Sequence, residues 1–177
     1  MDDIIQLGLE RRSVRRYGPG RIDDSVLDSI LDFALTAPSS FGHRPVEFVV
    51  VRDKGRIKDI GRCKTLGGSQ IDGADAVVVV MVDTHDAKQS EFWIEDASIS
   101  SSYILLAAEH HGVGACWVHI RNRTGRKDTS DREIRSLLGV PEGYTVLNLV
   151  ALGEKGETKR PYTMDDLDRS KIHREMF

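Results

Sequence analysis

The residues with the most chemical capacity lie near the start of the chain. Arg11-Arg12-Ser13-Val14-Arg15-Arg16-Tyr17 sets four arginines and a hydroxyl within seven residues. A guanidinium is a rigid fork of donors that meets a phosphate or carboxylate two bonds at a time, so this spacing suits an anion. Taken alone, such a run reads first as a solvated charged face. An anion site needs further donors, and the sequence offers two: the loop Pro38-Ser39-Ser40 and the basic pair Lys159-Arg160. Other chemistries find less support. Neither G-x-G-x-x-G after a strand nor G-x-x-x-x-G-K-[ST] occurs, which sets aside dinucleotide and P-loop folds. His110 and His111 are adjacent on a helix and point apart, while His43, His85 and His119 belong to separate elements; no metal site is expected. A G-x-S-x-G elbow is missing, and Asp165-Asp166 falls in a polar stretch that water covers.

The elements that must position these groups follow from hydrophobic period. Asp2 or Asp3 caps a short helix carrying Ile4, Ile5, Leu7 and Leu9, which delivers the chain into the arginine stretch. Gly18-Pro19-Gly20 breaks the chain, and Asp23 caps a second helix with Val26, Leu27, Ile30, Leu31, Ala34 and Leu35 on one face. Strands are expected at 47–51, 76–82, 113–120 and 144–152, each β-branched or continuously apolar. Asp53 caps a short helix around Ile57 and Ile60, and the glycine-rich stretch 61–73 is weakly structured. The longest helix spans 91–111. Its run of small residues (Ala97, Ser98, Ser100, Ser101, Ser102, Ala107, Ala108) suits either a core helix or a close contact between two copies. Ser130-Asp131-Arg132-Glu133 reads as a capping box for a helix that Gly139 and Pro141 stop. The last 25 residues are polar, either frayed or laid on a partner subunit. This order gives a central sheet between helical layers, an α+β (α/β three-layer) architecture in one domain spanning 1–177.

Composition narrows the classes further. With 177 residues, 40% hydrophobic and 30% charged, the chain can bury an ordinary core. A net charge of -3 gives no general attraction to nucleic acid or anionic membrane, so neither is expected as a partner. Cys63 and Cys116 make no disulfide framework and suit a reducing cytoplasm, with Cys116 a small core residue. No apolar run approaches the ~20 residues of a membrane span, and the acidic start is unlike a signal peptide.

The order and spacing of several motifs resemble the FMN-dependent nitroreductase family. Arg11 to Tyr17 is similar to its R-R-S-x-R-x-[FY] signature, and Ala37-Pro38-Ser39-Ser40 follows after a helix, as the family's A-P-S-S does. Trp93-Ile94-Glu95-Asp96-Ala97-Ser98 opens the long helix. Gly112-Val113-Gly114-Ala115-Cys116-Trp117 looks like G-L-G-x-C-W, and Ala151-Leu152-Gly153 precedes Lys159-Arg160-Pro161 like the family's A-x-G and its basic residue. The likeness covers essentially the whole chain.

That resemblance implies a domain-swapped homodimer, with two FMN sites at the subunit interface and a C-terminal extension crossing the other subunit. It implies a mixed, largely antiparallel sheet flanked by helices. By position, Arg11, Arg12, Ser13 and Arg15 match the FMN-contacting stretch, and Pro38, Ser39 and Ser40 match the loop that holds the flavin from the other protomer. Gln70 matches a polar position near the ring, Trp117, His119 and Ile120 the segment beside the isoalloxazine, and Lys159 and Arg160 the basic group on the phosphate. The implied activity is ping-pong hydride transfer from NADH or NADPH to FMN, and on to a nitro compound, quinone or flavin. Alternatives are ene reduction or dehalogenation on the same fold, or a flavin-binding, redox-sensing protein without turnover. No side-chain acid or base is demanded, because the flavin carries the hydride. Two or three converging cations counter the phosphate, and a fixed cation near the pyrimidine end stabilises charge that develops on reduction. The chain departs from the family where Gly42 and Arg44 stand for an Asn and a Gln and Val46 for a Trp; His43 and Arg44 are thereby the expected substrate-side residues, favouring acidic acceptors if they face the ring. The short chain also implies an open pocket.

Overall fold

Apolar side chains on four strands alternate between two helical layers. The computed structural model describes residues 3–86 and 91–177, so Asp2 as a helix cap lies outside the described residues. β1 (Val46–Val51), β2 (Ala76–Asp83), β3 (Gly114–His119) and β4 (Tyr144–Gly153) form one sheet in the order β1-β2-β4-β3. All three strand pairs are antiparallel. On β2, Ala76, Val78, Val80 and Val82 join the core formed with α2 (Asp24–Leu35) and α4 (Trp93–His110), through Leu27, Ile30, Ala97 and Ile104. Val77, Val79 and Met81 join the opposite core, with Ile57 and Ile60 of α3 (Lys54–Arg62) and Ile134 of α5 (Ser130–Leu138). Burial on both faces explains why β2 reads as an unbroken apolar run. The result is a three-layer α+β fold, with α1 (Asp3–Glu10) packed against α4. A bulge opposite Val80 and Met81 skips Leu147, and Asn148 accepts a bond from Ser101 Oγ of α4 at 3.0 Å, well buried.

Several local expectations shift. The long helix begins at Trp93 and ends at His110, and the third strand is trimmed to Gly114–His119. Asp23 occupies the N-cap position of α2 without a side-chain cap bond, whereas Asp53 does cap α3, accepting from Arg56 N at 2.7 Å. The box at Ser130 is displaced by one residue. Thr129 is the N-cap of α5 and accepts from Arg132 N, while the Ser130 hydroxyl is buried without a partner. Glu133 turns back instead to accept from Lys127 N (2.6 Å) and Asp128 N (2.9 Å). The stretch 61–73 is built rather than loose: Gly68–Ile71 forms a 3-10 turn that packs on α3 and β3, with Ile71 fully buried. Most of α4's small residues face the core, Ala97, Ser100, Ser101, Ala107 and Ala108 all being buried.

The arginine stretch is held along the β3 edge. Ser13 makes an isolated parallel bridge to Ala115, with Val14 N donating to Ala115 O at 2.9 Å; this is the parallel component beside an antiparallel sheet. Tyr17 bridges Lys155, Gly18 N donates to Glu154 O (3.0 Å), and Gly156 N donates to Arg16 O (2.9 Å). Glycine is required for this approach. A Cβ at Gly114 would sit 2.9 Å from Val14 Cγ1, and one at Gly156 would sit 2.8 Å from the Tyr17 carbonyl carbon.

Candidate functional site

Along the β3 edge the arginines divide by their partners. Arg12 donates to the Arg160 carbonyl and lies 4.4 Å over the Tyr162 ring, so it ties the C-terminal segment down by a cation–π contact. Arg160 itself pairs with Asp166 at 2.6 Å. Lys159 leans on Glu157 at 3.5 Å, and Arg15 N donates to the same carboxylate at 2.6 Å. That backbone bond, helped by Lys159, holds the Glu157 carboxyl below its ordinary range. Arg11 differs: it is half-buried, and among the described residues its guanidinium has no ion-pair partner. A half-buried cation without a counter-charge is suited to a ligand anion.

Beneath them sits Cys116, fully buried as the sequence suggests. Burial pushes its thiol up, while Arg15, in hydrogen-bonding position, and Lys159 pull the other way. Burial likewise raises Tyr17, whose hydroxyl donates to Val14 O at 2.9 Å. Trp117 is half-buried on the α4 side, and Ile120 is buried in the opposite core. His119 ends the strand. Gln70 reaches this edge because its 3-10 turn packs on β3.

The Pro38-Ser39-Ser40 loop is placed elsewhere. Ser40 N and Oγ both donate to Asp96 Oδ1 (2.8 and 3.0 Å), a buried carboxylate in the first turn of α4. Ser39 Oγ accepts from Arg44 N at 2.7 Å. This loop enters β1, and β1 and β3 are opposite edges of the sheet, about 14 Å apart at ordinary strand spacing. Within one chain, therefore, Arg11, Arg12, Ser13, Arg15, Gln70, Trp117, His119, Ile120, Lys159 and Arg160 gather at one edge, while Pro38, Ser39, Ser40, His43 and Arg44 lie at the other.

Two groups of residues went unread in the sequence. Phe41 is 82% exposed at φ +53°, followed by Gly42 at +71° and Arg44 at +50°. Its ring lies 5.8 Å from His43 and 6.0 Å from Phe92. A bulky residue in the left-handed region is strained, and such strain concentrates at working sites. The signal available was Gly42 after an aromatic, which marks a turn that presents the ring. The second group is Lys64, Arg121 and Arg123, whose positive charges act on His119. Arg121-Asn122-Arg123 alternates charge with an αL-tolerant Asn (φ +57°), a turn signal that was legible.

Taken together, these features define an α+β chain with a cationic edge and a presented aromatic loop at the opposite edge. The chain belongs to the nitroreductase family, whose model matches residues 9–64 and 62–154. A protein of Archaeoglobus fulgidus named "Putative NADH dehydrogenase/NAD(P)H nitroreductase" is 34% identical over 179 residues, with both chains covered in full. The FMN reductase [NAD(P)H] of Bacillus subtilis is 26% identical, covering 91% of this chain and 70% of its own. Among solved structures, the FMN-dependent nitroreductase of Clostridium difficile R20291 superposes with a TM-score of 0.92 at 39% identity, covering 98% of this chain and 99% of its own.

Proposed function

We propose that the chain is an FMN-dependent NAD(P)H oxidoreductase acting as a homodimer in a reducing cytoplasm. The observation that carries this reading is the half-buried Arg11, whose guanidinium has no ion-pair partner among the described residues, at an edge already lined by Arg15 and Lys159. The residues present fit FMN. Arg11 supplies an uncommitted guanidinium for the phosphate, Ser13 a hydroxyl beside it, and Arg12, Lys159 and Arg160 the surrounding positive field. Arg15, whose charge acts on Cys116, would supply the cation that stabilises charge developing on the reduced ring. When bound, FMN supplies reversible hydride acceptance.

The opposite-edge placement of Ser39 and Ser40 supports a site built from two copies, the arginine edge of one and the Ser-Ser loop of the other. The C-terminal segment fits that arrangement. It is exposed throughout 157–177 apart from partly covered Glu157 and Lys159, and its described ties to its own body are to 9–15: Tyr162 N to Leu9 O at 2.9 Å, Arg12 to the Arg160 carbonyl and the Tyr162 ring, and Arg15 N to Glu157. Tyr162, Met164, Leu167, Ile172, Met176 and Phe177 expose apolar surface there, as an arm that crosses a partner would. On this reading Phe41, His43 and Arg44 line the mouth above the ring, and donor and acceptor occupy the same face in turn. Acceptors are nitro compounds, quinones or flavins. The test is anaerobic titration of the purified protein. Flavin absorbance that bleaches with NADH or NADPH and returns with an acceptor is expected; a colourless protein, or bound flavin unmoved by both nucleotides, defeats the reading.

A further inference from the structure

At the end of β3, four basic residues lie on two backbone segments that are joined to each other: Lys64 after α3, and His119, Arg121 and Arg123 at the end of β3 and in the turn after it. Coming after burial, Arg123, Lys64 and Arg121 all disfavour a charged His119, against one opposing influence, a backbone bond at Arg121. Lys64 likewise faces Arg123. Among the described residues, Lys64, Arg121 and Arg123 make no ion pair. The backbone fixes them there. Thr65 N and Oγ1 both donate to Thr124 O (3.1 and 3.0 Å), joining the segment after α3 to the turn after β3. Arg121 N donates to Leu147 O (3.0 Å), Arg123 N to Ile120 O (3.0 Å) and Ser130 N to Arg123 O (2.8 Å). Holding like charges together raises the free energy of the cluster, and a multiply charged anion relieves it. The turn after β3 is also set apart from the Arg11 locus, while Lys64 acts on Cys116 as Arg15 and Lys159 do. Ser13 meets β3 at Ala115, and His119 lies four residues on, about 13 Å along an extended strand.

We propose that Lys64, His119, Arg121 and Arg123 form a subsite for the phosphate monoester of the ligand that exchanges electrons with the flavin. The proposal rests on the flavin reading above and adds the class of visiting ligand. Three cations offset a dianion, and a neutral imidazole adds a hydrogen-bond donor, as a phosphate requires. Two ligands carry that group: NADPH, through its 2′-phosphate, and free FMN as acceptor. NADH and riboflavin lack it and are otherwise matched.

The test compares the flavin-loaded full-length protein with Arg123→Gln and Lys64→Gln/Arg123→Gln. Calorimetry with adenosine 2′,5′-bisphosphate and adenosine 5′-monophosphate reads binding, and steady-state kinetics reads NADPH against NADH and FMN against riboflavin. Loss of one charge-assisted contact is expected to weaken the phosphate-bearing member by about tenfold and leave its counterpart unchanged. If the donor uses the subsite, bisphosphate affinity and the NADPH KM change together. If the acceptor uses it, the FMN KM rises while riboflavin and the bisphosphate are unaffected. A yellow wild type whose variants keep both selectivities overturns the proposal alone, as does loss of bound FMN from the variants, which would assign the cluster to the cofactor. A colourless wild type overturns the flavin reading and this proposal with it.

Discussion

Arg11 and His119 both lie along the β3 edge, yet they differ in what they do there. On the flavin reading proposed above, the Arg11 guanidinium is met by the ligand's phosphate. Arg11→Ala is expected to leave a folded protein that retains little FMN through gel filtration, a loss of about tenfold or more in affinity for a charge-assisted contact. His119 can shed its charge instead. Burial, then Arg123, Lys64 and Arg121, hold its imidazole below the ordinary histidine value. The unfolded chain therefore takes up a proton at His119 before the folded one does, and stability falls as pH drops through about 6.5 toward the folded value. Thermal midpoints across that window should fall less steeply for His119→Gln than for the parent. Equal slopes would place the histidine in open solvent. Cys63, raised to about 11 mainly by burial, stays protonated throughout this range and contributes nothing to the slope.

At the scale of elements, period and β-branching made the four strands and five helices legible, because each buries a face that must be apolar. Helix starts were less legible, because several neighbouring residues can accept the same backbone bond. At α5, both Thr129 and Ser130 are competent caps; Thr129 takes the role, since Ser130 is turned into the core, where its hydroxyl finds no partner. The two residues consequently predict opposite outcomes. Thr129→Ala should lower unfolding free energy by about 1 kcal/mol. Ser130→Ala should leave it unchanged or raise it, because it removes a buried polar group that bonds to nothing. Denaturant midpoints of the two variants decide which residue caps. The Ser-Ser loop shows the same limit. Its motif was readable, as was the departure at Gly42, but the chain's solution was not: at φ +71° the position accepts Gly or Asn, so the substitution keeps the turn while the side-chain amide is lost. The exposed Phe41 follows from that turn.

For the whole molecule, the arginine edge and the Ser-Ser loop were each recognisable, but their separation was not, because strand order is set by long-range pairing. With the order β1-β2-β4-β3, one chain holds the two halves at opposite edges of its sheet and does not bring them together. Two copies can, each lending its loop to the other's edge. This gives a test that no single-chain site can pass. Arg11→Ala disables an edge, and Ser39→Trp places bulk in a loop that the native hydroxyl closes through Arg44 N. Each variant alone should purify without flavin. Co-expressed under different tags and isolated as a mixed dimer, the pair contains one site with both lesions and one with neither. The mixed dimer should then carry FMN at about half the wild-type content and reduce it with the same nucleotide. Were each site contained in one chain, every site in the mixed dimer would bear a lesion and the preparation would stay colourless.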